Sequence, residues 1–243
     1  MPIRRSRCSL ALLAALTGSA VLAAQAQAPF KPSPGVTVTT PAGSVIAFLA
    51  AWDKEPRAAL NVAPEAGKLV VVKFSDWECP ACKTTALAYK PTFDALVSRI
   101  KYVEKDYPLN AECNAHVPRT IPGHEASCAA AAAMRLARAS GDPEALGKWL
   151  FDNQEATPAA VAMAAFNVGG VQNFNRMYAT ALPAIKKDVA EGAALNLTGT
   201  PGYFINGVLV KGFFEGKLDP RYLLATDLFD AAVQHEIKKA GIR

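Results

Sequence analysis

The chain has 243 residues, 51% of them hydrophobic and 19% charged, so it can bury a core and is not intrinsically disordered. The formal charge of +5 is concentrated at the start, where Arg4, Arg5 and Arg7 stand, and the remaining basic and acidic residues nearly balance. With no basic run interleaved with aromatics, nucleic acid is argued against as a partner.

The three arginines precede an apolar run from Leu10 to Ala24, followed by the small-residue sites Ala24-Gln25-Ala26 and Ala26-Gln27-Ala28. A basic start, a short apolar core and an A-x-A site describe a secretory signal peptide. Residues 1–26 are assigned to it, with cleavage after Ala26. The alternative, an uncleaved anchor, needs a spanning stretch of about 20 residues, and this run is shorter. The mature protein is expected to be periplasmic or secreted. Setting aside Cys8, four cysteines remain: Cys79, Cys82, Cys113 and Cys128. An even count in an oxidising compartment suggests two disulfides.

Residues 27–62 read as a Pro-rich leader with a short helix at Ala42 to Trp52. Lys68 to Phe74 (KLVVVKF) is nearly continuous and β-branched, as a buried strand is. Cys79 to Ser98 has helical spacing, with a kink expected at Pro91, and Ile100 to Lys105 alternates as a strand. Glu125 to Leu195 reads as about five helices, Asp142-Pro143 and Thr157-Pro158 placing proline at helix starts and Pro183 parting the last two. Gly202 to Ile205, the turn Asn206-Gly207 and Val208 to Lys211 form a hairpin. Asp219 to Lys239 is an amphipathic helix. The order β-α-β, helical block, β-β-α defines an α/β thioredoxin fold with a mixed sheet, spanning 63–243 and carrying a helical insertion at about 125–195.

Cys79-Pro80-Ala81-Cys82 falls between a predicted strand and the helix after it. Two thiols three apart in a first helical turn can close a disulfide, and the free N–H groups and dipole of the helix start stabilise a thiolate. Cys79, the more exposed, is expected to attack, and Cys82 to resolve the mixed disulfide. Half of a zinc site, a structural disulfide and coincidence are the competing readings. A second signal, Thr198-Gly199-Thr200-Pro201 before Gly202-Tyr203-Phe204-Ile205-Asn206-Gly207, favours the redox reading.

Together, C-P-x-C after a strand and T-G-T-P-x-x-F-I-N-G far downstream resemble the DsbA-type thioredoxin-like thiol–disulfide oxidoreductases. The stretches VVVKFSDWECPAC, KDYPLNAECN, HEASCAAAAAMRLA, WLFDNQ and TGTPGYFING most closely resemble the thioredoxin-like domain fused to bacterial vitamin K epoxide reductase homologues. The resemblance implies that Pro201 is a cis-proline facing the active-site disulfide and that the Thr200 backbone pairs with extended substrate. It also implies a separate membrane redox partner of the vitamin K epoxide reductase or DsbB type.

Cys113 and Cys128 allow three readings: a structural disulfide, which the resemblance supports, an electron relay to Cys79 and Cys82, or a metal set with His116 and His124. Trp77 either shapes the surface beside the motif or packs in the core, and Phe213 and Phe214 either form an apolar lip or cap the core. Lys73 lies six residues before Cys79, where many thioredoxin-fold proteins place a carboxylate. It either favours thiolates by its charge, against the pull of Asp76 and Glu78, or extends along the sheet with its ammonium in water.

The expected function is an exported thiol–disulfide oxidoreductase acting on reduced or unfolded proteins, in the oxidising direction. It needs no metal and no cofactor beyond the Cys79–Cys82 disulfide. A periplasmic reductase or isomerase, and a peptide-binding chaperone without catalysis, are the alternatives.

Overall fold

A computed structural model describes residues 42–243, so the expected signal peptide at 1–26 and the stretch 27–41 before the first helix lie outside the described residues. Helix α1 (Ala42–Trp52) is followed by β1 (Leu69–Ser75), α2 (Pro80–Ala95) and β2 (Ile100–Asp106). Helices α3 (Ser127–Ser140), α4 (Pro143–Asp152), α5 (Pro158–Asn167) and α6 (Phe174–Ala194) come next. The chain closes with β3 (Gly202–Ile205), β4 (Val208–Leu209), β5 (Gly212–Phe214), β6 (Lys217–Asp219) and α7 (Thr226–Lys239).

The main sheet has the order β2-β1-β3-β4, with β1 parallel to β2 and antiparallel to β3. β1 is central and covered on both faces, which is why its sequence is continuously apolar rather than alternating. Val72 and Phe74 join the core formed with α3 to α6, while Leu69 and Val71 pack with Phe48, Tyr89 and Phe229 from α1, α2 and α7. Tyr89 stacks on Phe229 with ring centroids 3.8 Å apart, fastening α2 to α7. The β3–β4 turn has positive φ at both Asn206 (49°) and Gly207 (83°), the backbone that Asn-Gly adopts in a two-residue hairpin.

The helical block differs from expectation in its last part. Asn173 to Leu195 holds one helix, not two, and α6 runs through Pro183. The proline removes a hydrogen bond to Ala179, on an exposed face where solvent can satisfy that carbonyl. Phe174, Ala181, Ile185 and Val189 meanwhile bury the opposite stripe. Gly192 permits the close approach of α6, since a Cβ there would lie 2.6 Å from the Tyr107 ring. α2 likewise continues past Pro91, whose missing bond falls at the exposed Leu87.

Two further corrections concern the carboxy-terminal third. Residues 212–219 form the small antiparallel hairpin β5–β6, so α7 begins at Thr226 rather than Asp219. Phe213 and Phe214 divide the roles expected of them: Phe213 packs edge-on against Phe48, and Phe214 is exposed and stacks on Tyr222.

Candidate active site

Cys79 is the N-cap of α2, in extended backbone, with Pro80 at the first helical position where its missing N–H costs nothing. Cys82 lies one turn in. Both are free thiols in this structure; Cys79 retains 6% exposure and Cys82 none. The expected ranking of exposure holds, though Cys79 is far more buried than a surface nucleophile.

The two sulfurs are electrically unlike. The Cys82 thiol donates toward Cys79 and, with the Thr200 side chain and the Cys82 backbone N–H, outweighs burial and brings the Cys79 thiol down to about 6. Burial pushes Cys82 well above the ordinary thiol range, and the neighbouring Cys79 adds to this, while Lys73 opposes. The Cys82 sulfur also accepts from the Asp76 N–H at 3.5 Å. In the reduced pair the surroundings thus favour ionisation of Cys79 over that of Cys82.

The Thr200–Pro201 peptide bond is cis. The Thr200 carbonyl lies 3.4 Å from the Cys79 Sγ, which donates to it. The two motifs, 121 residues apart in sequence, therefore meet at the reactive sulfur. The Thr200 hydroxyl is buried and has no hydrogen-bond partner among the described residues.

Lys73 is fully buried, which overturns the reading that keeps its ammonium in water. Its Nζ is ion-paired with Glu104 at 3.2 Å and sits 5.4 Å from the Phe151 ring centre and 5.8 Å from that of Tyr203. Its charge acts on Cys82 rather than on Cys79.

On the other side of the motif is a polar cluster that the sequence did not reveal. The Asp76 carboxylate accepts from the backbone N–H of Glu78 (2.9 Å) and of Leu109 (2.7 Å) and is 2.8 Å from His124 Nδ1. Ser127 Oγ stands 2.7 Å from Asp76 Oδ1 and 3.0 Å from Glu78 Oε2, and Glu78 Oε2 accepts from the Ala126 N–H at 2.7 Å. Burial, reinforced by the Asp76 charge and opposed by these hydrogen bonds, pushes the Glu78 carboxyl up to about 7. Burial works against a charged His124, but its bond to Asp76 and the nearby negative groups prevail and raise it.

Cys113 and Cys128 are joined in a disulfide with their Cα atoms 5.9 Å apart, tying the loop after β2 to the start of α3. Both sulfurs are thereby used and His124 is turned to Asp76, so the metal set weighed for these residues is not assembled. Trp77 is a packing residue, 5% exposed, with its ring 4.7 Å from that of Phe151. Gln154, which the sequence did not single out, donates to the carbonyls of Trp77 (3.0 Å) and Cys79 (2.9 Å) and so pins the motif from the α4–α5 loop.

A mixed sheet with β1 at its centre, a C-x-x-C at the start of α2 and a proline before β3 define a thioredoxin-fold protein. The Thioredoxin family profile matches residues 63–215, and the chain belongs to that family. Among solved structures it is similar to oxidised BdbD from Bacillus subtilis, at 15% identity and a TM-score of 0.53, over 76% of this chain and 97% of that one. It is also similar to reduced DsbA1 from Neisseria meningitidis, at 15% identity and a TM-score of 0.49, over 75% of this chain and 93% of that one. The catalytic domain of Proteus mirabilis ScsC gives 17% identity and a TM-score of 0.48, over 81% and 98%. The likeness to BdbD bears out the expected thioredoxin fold, and in this chain helices α3 to α6 lie between β2 and β3. No curated protein matches at the level of sequence.

Proposed function

We propose that the chain is an exported thiol–disulfide oxidoreductase that passes a disulfide to reduced protein substrates through Cys79 and Cys82. The observation that carries this reading is the pair of thiols at the α2 start, Cys79 at the N-cap 3.4 Å from the Thr200 carbonyl and Cys82 fully buried one turn in, an arrangement that favours ionisation of the first over the second. A substrate thiolate attacks Cys79 of the oxidised pair, and the sulfur–sulfur electrons leave with Cys82, which takes up a proton. A second substrate thiolate then attacks the substrate sulfur of the mixed disulfide, and Cys79 departs as a thiolate. The low proton affinity of Cys79 makes it a good leaving group.

The same feature supports the oxidising direction, because stabilising a thiolate stabilises the reduced protein. At pH 7 a thiol brought to about 6 from 9.0 favours the reduced protein about tenfold, or by about 1.4 kcal/mol, roughly 30 mV in a two-electron couple. The Thr200 backbone beside Cys79 suits pairing with extended substrate. Among the described residues no helix is long and apolar enough to cross a membrane. Reoxidation is assigned to a separate membrane redox protein of the vitamin K epoxide reductase or DsbB type. Cys113–Cys128, each 1% exposed, is assigned a structural role.

The test combines a glutathione titration of the Cys79–Cys82 couple with trapping in the native compartment. A potential more oxidising than glutathione, mixed disulfides accumulating in Cys82→Ser and loss of exchange in Cys79→Ser are expected. A potential below that of glutathione assigns the protein to reduction or isomerisation. A couple inert to dithiothreitol assigns it to peptide binding without catalysis.

A further inference from the structure

Ser127 has one hydroxyl proton and stands between two carboxyl groups, 2.7 Å from Asp76 and 3.0 Å from Glu78. It can donate to only one of them. Two buried oxygens at hydrogen-bond distance with no proton between them would be repulsive, so both contacts are satisfied only if one carboxyl is itself protonated. Asp76 receives the N–H groups of Glu78 and Leu109 and faces His124 Nδ1, and it is the nearer acceptor for Ser127. The negative charge is best accommodated there. Glu78 receives only the Ala126 N–H besides its Ser127 contact and is 6% exposed, so it is the group that carries the extra proton and donates to Ser127.

Glu78 directly precedes Cys79. We propose that Glu78 is a proton store coupled to the Cys79 thiolate: it binds a proton when the pair is reduced and yields it when the disulfide forms. This inference rests on the redox reading of the site. The charged and titratable groups acting on Glu78 are Asp76 on its own loop and His124 on the loop before α3, and His124 is in turn acted on by Cys79, the residue after Glu78 in the chain; Lys73 lies with Cys82. A thiolate at Cys79 is a further negative charge near Glu78, and it favours the protonated carboxyl.

The balance is as follows. A substrate dithiol that becomes a disulfide yields two electrons and two protons. The electrons cleave the Cys79–Cys82 bond, one proton goes to Cys82, and Cys79 remains a thiolate. The second proton goes to Glu78 wherever that carboxylate is ionised in the oxidised protein, and to water otherwise. Reduction therefore takes up two protons over a wider pH range than the cysteines alone provide. The upper limit of that range is set by Glu78 at about 7 instead of by Cys79 at about 6.

The experiment measures the glutathione redox equilibrium against pH for the native protein and Glu78→Gln, alongside infrared spectra of the reduced proteins without substrate. In the native protein the change from a two-proton to a one-proton slope is expected near pH 7, and in Glu78→Gln about one pH unit lower. The native spectrum should hold a protonated-carboxyl band at pH 6 that titrates near 7 and is lost in the variant. Absence of that band, or the same slope change in a folded Glu78→Gln protein, overturns the proposal. A band that is present in a protein inert to glutathione at every pH overturns the redox reading and, with it, the coupling, while leaving the proton on Glu78 established.

Discussion

Lys73 and Glu104 face each other in the parallel register of β1 and β2, and their charged ends meet at 3.2 Å beneath the buried thiol Cys82. Glu104 also accepts from Arg138 of α3 at 2.7 Å, so the cation below the active site is held by a carboxylate that is itself shared. The ammonium has no access to solvent, and its favourable interaction with Glu104 offsets the cost of burial.

Lys73→Met is therefore expected to raise Cys82 still further and to leave Cys79 nearly unmoved, since it is Cys82 that feels the Lys73 charge. At pH 7, where Cys82 stays protonated with or without the cation, the reduction potential should hold, and the change shows in the alkaline titration of Cys82. Stability falls by about 3 kcal/mol, the scale of a buried ion pair that loses one partner. Lys73→Met/Glu104→Gln recovers part of that loss. Thiol titration, a glutathione equilibrium and urea unfolding of the two variants measure all three effects; an unchanged Cys82 titration would make Lys73 a purely structural cation.

The Cys113–Cys128 bridge closes a separation of 15 residues. In the chain-entropy description a loop of that size stabilises by about 3 kcal/mol, and Cys113→Ala/Cys128→Ala should lose about that much in urea unfolding. Because both sulfurs are buried, graded dithiothreitol followed by alkylation and mass spectrometry should label Cys79 and Cys82 well before Cys113 and Cys128. Labelling of all four together would favour the relay reading.

What was legible in the sequence follows from how locally each feature is encoded. The active-site junction could be read because a buried strand, a short turn and Pro80 at the first helical position all act within a few residues. Asn206-Gly207 announced its hairpin for the same reason. The helix through Pro183 was misjudged because the local rule against proline yields when its lost bond falls on an exposed face and the opposite stripe is buried. Strands of three residues, as in β5 and β6, carry no alternation to detect. The Asp76–Glu78–His124–Ser127 cluster joins residues about 50 apart through the packing of α3, and only the fold brings them together.

That cluster gives the stability of the protein a pH dependence of definite sign. Glu78 and His124 both bind their protons more tightly in the folded chain than in the unfolded one, and the fully buried Asp106, pushed up to about 7 by burial, acts in the same direction. Each such group contributes stability that is complete below its unfolded pKa and is lost as pH rises through its folded one. In the oxidised protein, where Cys79 does not titrate, urea midpoints are expected to fall from about pH 5 to about pH 8, with a smaller fall in Glu78→Gln, which has no charge to bury. A midpoint that rises over this interval would contradict the assignment.

Thr200 offers the sharpest test of what holds the Cys79 thiolate. In the thiol form the Cys79 S–H donates to the Thr200 carbonyl, and the Thr200 hydroxyl is left buried without a partner among the described residues. Ionisation turns the sulfur into an acceptor and gives that hydroxyl a charged group to bond, so the orphaned donor of one state becomes a stabilising donor of the other. The Thr200 side chain is one of the groups that lower Cys79. Thr200→Val keeps the shape and removes the donor. A hydrogen bond to a charged group contributes about 1.5–3 kcal/mol, so the variant should raise the Cys79 pKa by about one to two pH units and make the couple more reducing. Because the hydroxyl is unpaired in the thiol form, replacing it leaves no new buried polar group behind, and stability at a pH below the Cys79 titration should hold or rise slightly. Thiolate absorbance against pH, with urea unfolding of the same variant, separates the two effects. A Cys79 pKa equal to that of the native protein would place the stabilisation in the helix start and the Cys82 thiol alone.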